Sequence, residues 1–409
     1  MEAVWDRAGH APSGAQYSRH RPEETLLYQI IDDYYPDFVA QLESERRSLP
    51  RFVSKEFEEY LKCGRLEHGF LRVRCADCHA EKLVAFSCKR RGFCPSCGRF
   101  GSALNLNVHF HMLIPDGVYL TDSDPPAFRS VAAPRPEELQ ARVQRISERI
   151  GRHLERQGLL VRDAENSHLA FESEGEESAL ADLQGHSITY RIALGPLRGR
   201  KAFLLQSLPP ASASGGPERV AQASGFSLHA GVAAEAYERD KLERLCRYIA
   251  RPAVASERLS RLPDGRIRYE LKTPYRDGTT HVIFEPLDFL ARLAALVPSP
   301  GVNLTRYHGL FAPNHRSRAL IVPARRGRPG GSARAGQGSG APKHVAMTWA
   351  QRLKRVFGIQ INPCEQCGGA VKIIASIENP QVIGQILSHL GLDRPQAERR
   401  RLPAPRAPP

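Results

Sequence analysis

Two Cys-x-x-Cys pairs fifteen residues apart, Cys75-Ala76-Asp77-Cys78 and Cys94-Pro95-Ser96-Cys97, constrain this chain more than any other feature. Each pair turns two thiolates toward one point, and two pairs complete the closed tetrahedral shell of a structural Zn²⁺. Six of the nine cysteines fall between Cys63 and Cys97. The N-terminal residues Met1 to Asp6 lack the basic-then-apolar pattern of a secretory leader, so this clustering points to metal rather than disulfides. The spacing predicts a zinc-binding module over 63–98, with Cys75, Cys78, Cys94 and Cys97 as ligands. Cys63, His68, His79 and Cys88 read equally as a second site, as replacement ligands or as ordinary residues beside a ribbon. A third pair, Cys364 and Cys367, is half a site. It needs two ligands from elsewhere or from another chain, and beyond the cluster only Cys246 and scattered histidines remain.

The chain has 58 basic and 44 acidic residues, a net charge of +14, which suits a polyanion partner through release of counterions. A basic, soluble surface without a nucleic-acid role would give the same number. Its 409 residues allow two or three domains. No apolar run is long enough for a membrane span, so a cytoplasmic protein is expected, associated with the nucleoid when bound to DNA. Helical spacing of Leu26, Leu27, Ile30 and Ile31 marks an N-terminal helical region over 1–62, with Pro36 opening a second helix. Mixed strand and helix patterns over 99–315 read as an α/β or α+β domain, and α+β is the class expected. Residues 316–345 are a basic Gly/Arg linker, and 346–409 a helical module with the third cysteine pair and a disordered tail.

From Leu104 to Ile114 the sequence alternates with period two. Leu104, Leu106, Val108, Phe110, Met112 and Ile114 share one face, and Asn105, Asn107, His109 and His111 share the other. A strand would bury the first set and set the two imidazoles about 6–7 Å apart at Cα, close enough to hold one divalent cation. Two histidines on a solvated face are the plain alternative. Residues 233–250 read as one helix stopped by Pro252, with Leu242, Leu245, Cys246 and Ile249 as its buried stripe. Tyr248 falls off that stripe, with Lys241, Arg244 and Arg251 at −7, −4 and +3 on its own face. Such cations favour phenolate and grip phosphate, although a surface tyrosine at a core edge is commoner than a nucleophile.

Taken together, these motifs resemble rolling-circle transposases of the insertion-sequence ninety-one and common-region type, which belong to the HUH nucleases. The resemblance is carried by Cys63 to Phe70 (CGRLEHGF), Phe93 to Cys97 (FCPSC), Asn107 to His111 (NVHFH) and Arg247 to Pro252 (RYIARP). Lys272 to Thr279 (KTPYRDGT) and Asn303 to Gly309 (NLTRYHG) add to it. It implies a zinc module preceded by helices, then an HUH-type antiparallel sheet with helices. It implies that His109 and His111 hold Mg²⁺ or Mn²⁺ and that Tyr248 attacks phosphorus to leave a 5′-phosphotyrosine. It also implies single-stranded or hairpin element-end DNA as partner, gripped by the zinc ribbon and basic helices. Lys241, Arg244, Arg247 and Arg251 are the candidate DNA contacts around Tyr248. Arg244 stands four residues before Tyr248, which makes this the single-tyrosine pattern. One departure matters: Gly98 to Ser102 joins the Cys-Pro-Ser-Cys knuckle to the histidine run almost directly. The family has a core strand and a helix there, so the sheet is expected to be incomplete and His109 and His111 misplaced or exposed. Asp116 is the candidate third ligand. The alternative to an active enzyme is therefore a deleted copy that binds DNA through its zinc ribbon without cutting.

Overall fold

Leu26–Ser44 form a single helix, α1, that runs straight through Pro36. Leu27, Ile30, Ile31, Phe38 and Leu42 recur on one helical face, and all are buried. Pro36 is on the opposite, exposed face. The carbonyl it leaves without a helical donor is therefore open to water, and the helix continues where a break is expected.

The chain is described from a computed structural model covering residues 21–88, 92–93, 104, 106, 109–123, 126–162, 167–169, 179–208, 220–249, 256–275, 277–302, 305–322, 364 and 366–392. After α1 come α2 (Arg51–Lys62), β1 (Phe70–Cys75), β2 (Glu81–Ala85), β3 (Gly117–Leu120), β4 (Ala127–Ser130) and α3 (Pro136–Arg156). Next are β5 (Leu160–Arg162), β6 (Ser167–Leu169), α4 (Ala179–Ile188), β7 (Phe203–Gln206), β8 (Val220–Ala223), β9 (Phe226–His229) and α5 (Arg239–Ile249). The last are β10 (Leu259–Arg261), β11 (Ile267–Glu270), β12 (Thr279–Phe284), α6 (Pro286–Ala295), α7 (Arg318–Ile321), β13 (Val371–Ile377) and α8 (Pro380–His389). Mixed helices and antiparallel sheets agree with the α+β class.

Two units divide the chain. One joins Met1–Asp32 and Phe57–Arg90 to Met347–Pro409. Its sheet has the order β13-β1-β2, all antiparallel, with Phe70 opposite both Ile377 and Ala85. α8 covers that sheet, packing Ile383 and Leu387 on Phe70, with Leu66, Leu83, Ile377 and Ile386 around them. The start of α8 is set locally: the Asn379 side chain accepts from the Gln381 and Val382 amides, and Pro380 fits the first turn. The C-terminal module, which the sequence treats as a separate piece, thus contributes the outer strand of the β1–β2 sheet. A lone seven-residue strand such as β13 leaves its backbone groups unpaired and gains partners by joining β1.

The second unit holds Asp33–Glu56 and Arg91–Ala346. Its antiparallel sheet β10-β11-β12-β7 carries Ile267, Tyr269, Val282 and Phe284 on a buried face. α6 is buried from Asp288 to Ala295 and packs on α4. Burying a charged pair in that helix requires partners for both groups. Asp288 Oδ1 accepts from the Ala193 amide at 3.0 Å, and Arg292 donates to the Arg191 carbonyl at 2.8 Å and the Ser187 carbonyl at 3.3 Å. Desolvation raises the Asp288 carboxyl and lowers the Arg292 guanidinium, each opposed by the attraction between them. Separately, α3 lies on the β8–β9 hairpin through Leu139, Val143 and Ala221.

Two expected elements change here. Residues 109–116 form no strand: Phe110 is 83% exposed, and Met112, Leu113 and Ile114 are exposed too. Period-two alternation makes a strand only where a neighbour pairs its N–H and C=O groups, and none of the described strands pairs with 109–116. The tyrosine helix begins at Arg239 instead of 233, and Leu242 and Cys246 are exposed rather than forming a buried stripe.

Candidate metal centre

The β1–β2 connection carries Cys75 and Cys78 on a tight turn. The Cys75 amide donates to the Ala80 carbonyl at 2.9 Å, and the Asp77 amide points at Cys75 Sγ at 3.4 Å. Cys364 and Cys367 form a matching turn just before β13. There the Cys364 amide donates to the Gly369 carbonyl at 2.7 Å, the Gly368 amide to the Cys364 carbonyl at 2.9 Å, and the Gly369 amide to Cys367 Sγ at 3.4 Å. Gly368 has φ of 75°, open to glycine without strain, and a Cβ on Gly369 would collide with the Asp77 carboxylate. The Ala76 amide bonds the Ala370 carbonyl at 2.8 Å, and Cys75 lies opposite Val371 in the β1–β13 ladder. That register brings the two turns together.

The result is a four-thiol cluster. Cys75 Sγ lies 3.5 Å from Cys367 Sγ, Cys78 Sγ lies 3.4 Å from Cys364 Sγ, and all four sulfurs are within 4.8 Å of one another. The Cys78 and Asp77 amides lower the Cys75 thiol to about 7. The Ala80 amide favours the Cys78 thiolate, yet the Cys367 and Cys364 sulfurs push that thiol up to about 12. Cys364 is lowered by the Cys367 and Gln366 amides. Four sulfurs this close cannot all ionise alone, because each negative charge opposes the next. A soft divalent cation at their centre removes that opposition. The donor set therefore fits Zn²⁺ in a closed, structural shell.

Expectation and structure differ in the partners. Cys75 and Cys78 are joined by Cys364 and Cys367, whereas the spacing pointed to Cys94 and Cys97, which lie outside the described residues. Local spacing ranks nearby pairs first, while strand pairing over almost 300 residues of separation is invisible to it. A readable signal existed: both pairs abut a β-strand, and both lie on tight turns. Cys63 and Cys88 are also drawn together, with the Cys88 amide 3.3 Å from Cys63 Sγ.

The other candidate residues are placed as follows. His109 and His111 turn their rings toward each other, with Nε2 atoms 3.1 Å apart and ring planes at 82°. Burial and then the neighbouring His109 lower His111 below the ordinary imidazole value, which favours the neutral, ligating form. Among the described residues, no Asp116 carboxylate or other third donor closes a three-ligand group with them. Tyr248 and Arg247 fall on α5, near its end, with side chains outside the described residues, as is Arg251 altogether. Lys241 pairs with Glu238 at 2.9 Å, and Arg244 is exposed. No helix among the described residues is long and apolar enough to cross a membrane.

Residues 92–319 match the family model described as putative transposase, and residues 30–119 match that of a transposase zinc-binding domain of the insertion-sequence ninety-one type. The first match alone covers more than half of the chain, so the class is that of DNA transposases, and DNA is the partner that class implies. The chain belongs to the insertion-sequence ninety-one transposase family. No curated protein and no solved structure matches it. The zinc-binding-domain match and the four-thiol cluster together support structural Zn²⁺, and half of that cluster lies beyond both matched spans.

Proposed function

We propose that the chain nicks and rejoins single-stranded or hairpin DNA at the ends of its element, by rolling-circle transposition. The observation that carries this reading is the convergence of the His109 and His111 Nε2 atoms on one point, in a chain of a transposase family. Those two imidazoles would hold Mg²⁺ or Mn²⁺, which neutralises charge on a scissile phosphate. Tyr248 would lose its phenolic proton and attack the phosphorus in line. The P–O bond to the 3′-oxygen breaks, leaving a 5′-phosphotyrosine and a free 3′-hydroxyl. One phosphodiester is exchanged for another of similar energy, so the strand can be rejoined without ATP. Lys241, Arg244, Arg247 and Arg251 favour the phenolate and hold the phosphate.

A second reading is favoured by the exposure of Phe110, Met112, Leu113 and Ile114 and by the missing strand at 109–116. Under it, the chain binds element ends but does not cut, because the histidines lack a sheet to hold them. A covalent-adduct assay on single-stranded element-end DNA with Mn²⁺ separates the two. Nicking predicts an adduct that falls to background in Tyr248→Phe, a loss on the order of 10⁴-fold or more. An adduct that survives in Tyr248→Phe would rule out this nucleophile. Binding without any adduct in the unaltered chain would establish the second reading.

A further inference from the structure

α3 is the longest helix among the described residues, and its two long faces differ in chemistry. Leu139 and Val143 bury against the β8–β9 hairpin. Turned away from that face are Arg142, Arg145, Arg149, Arg152 and Arg156, spaced three, four, three and four residues apart and all exposed. At about 100° per residue this spacing keeps all five within roughly 80° of arc, and at about 1.5 Å per residue they run some 21 Å along the axis. The acids of α3 sit mainly to one side. Glu148 approaches Arg152 at 3.6 Å, and Glu138 at the helix start is held by Arg135. Arg145 and Arg149 have no carboxylate within 4.0 Å among the described residues. On the other flank of the ridge, Ile146 and Ile150 are exposed apolar side chains, and His153 is exposed beside them.

We propose that this arginine ridge is a track for the phosphate backbone of single-stranded DNA, resting on the transposase reading above. Five guanidiniums in a row match a run of phosphates in sign, and Arg bonds phosphate oxygens in a planar fork. A ridge of about 21 Å can follow several consecutive phosphates, which advance about 3.4 Å per strand even in stacked DNA. The apolar and imidazole strip beside it selects the single strand. Unpaired bases present faces that can lie on Ile146, Ile150 and His153, while a duplex hides them. Ile146 and Ile150 extend the Leu139–Val143 stripe past the hairpin, but an ordinary solvated helix face would not need the unbroken arginine run beside it.

The test is binding of a thymidine oligomer of about 20 nucleotides by the full-length, zinc-loaded chain, measured by fluorescence anisotropy as salt is raised. Each lost phosphate contact removes about 0.7 from the slope of log affinity against log salt. The triple variant Arg145→Gln, Arg149→Gln, Arg152→Gln is expected to flatten that slope by about 2. The matched lysine triple keeps the charge and most of the slope. Removing the same charge elsewhere, with Arg46→Gln, Arg51→Gln and Arg316→Gln, leaves the slope in place. Gln and Arg have similar helix propensity, so α3 should persist. If the triple does not fold, each single Gln variant is expected to cost about 0.7. An unchanged slope in the ridge variants, or an equal loss in the control triple, overturns the ridge. Failure of the unaltered chain to bind the oligomer would instead overturn the DNA reading beneath it.

Discussion

Replacing Cys364 and Cys367 together by serine is expected to remove one zinc per chain and to unfold the β13-β1-β2 sheet. The four sulfurs are the only donor group of three or more His, Cys, Asp or Glu side chains among the described residues, and they tie the β1–β2 turn to the turn that precedes β13. The cluster behind that sheet is small, centred on Phe70, Ile383 and Leu387. Structural zinc contributes on the order of 10 kcal/mol or more in small modules, far above what such a core supplies. Zinc content measured on the purified chain, together with hydrogen exchange over residues 66–85, would show both effects. The exposed Cys246 on α5 is the control, and Cys246→Ser should leave zinc and protection intact. If the Cys364/Cys367 double variant keeps its full zinc while Cys94→Ser with Cys97→Ser loses it, the ligand set read from local spacing is restored and the cluster joining Cys75 and Cys78 to Cys364 and Cys367 is refuted.

Asp288→Ala is expected to destabilise the second unit by about 3–5 kcal/mol. The substitution leaves the Arg292 guanidinium buried, with the Ser187 and Arg191 carbonyls as acceptors and the Phe284 ring 5.5 Å from its centre, but without a counter-charge. Its Nε already lacks a hydrogen bond and sits 3.6 Å from Asp288. The double change Asp288→Leu with Arg292→Met removes both charges and should recover most of the loss, since a buried ion pair is worth little against apolar side chains of similar size. Urea unfolding monitored through the second unit measures both. A loss below about 1 kcal/mol for Asp288→Ala would mean that Arg292 reaches water when released.

Local chemistry was legible because it depends on residues close in the chain. The apolar spacing of Leu27, Ile30 and Ile31 marks α1 whatever lies beyond it. The Cys-x-x-Cys turns likewise announce paired thiolates wherever they occur. The histidine run was misread for the complementary reason. Its alternation is a true strand pattern, but a strand is a relation between two segments, and none of the described strands pairs with 109–116. Pro36 was misread as a break because its effect depends on which face of α1 meets water.

The amino-acid sequence by itself determined the family, the basic character and the presence of zinc-binding cysteine pairs, all properties of short motifs and composition. Only the tertiary structure decided which pairs meet. Cys75 and Cys78 close on Cys364 and Cys367 because β13 adds to β1 in a register that sets Cys75 opposite Val371, and α8 seals that sheet with Ile383 and Leu387. Coordination needs four sulfurs at one point in space, and distance along the chain says nothing about which four the folded backbone brings there.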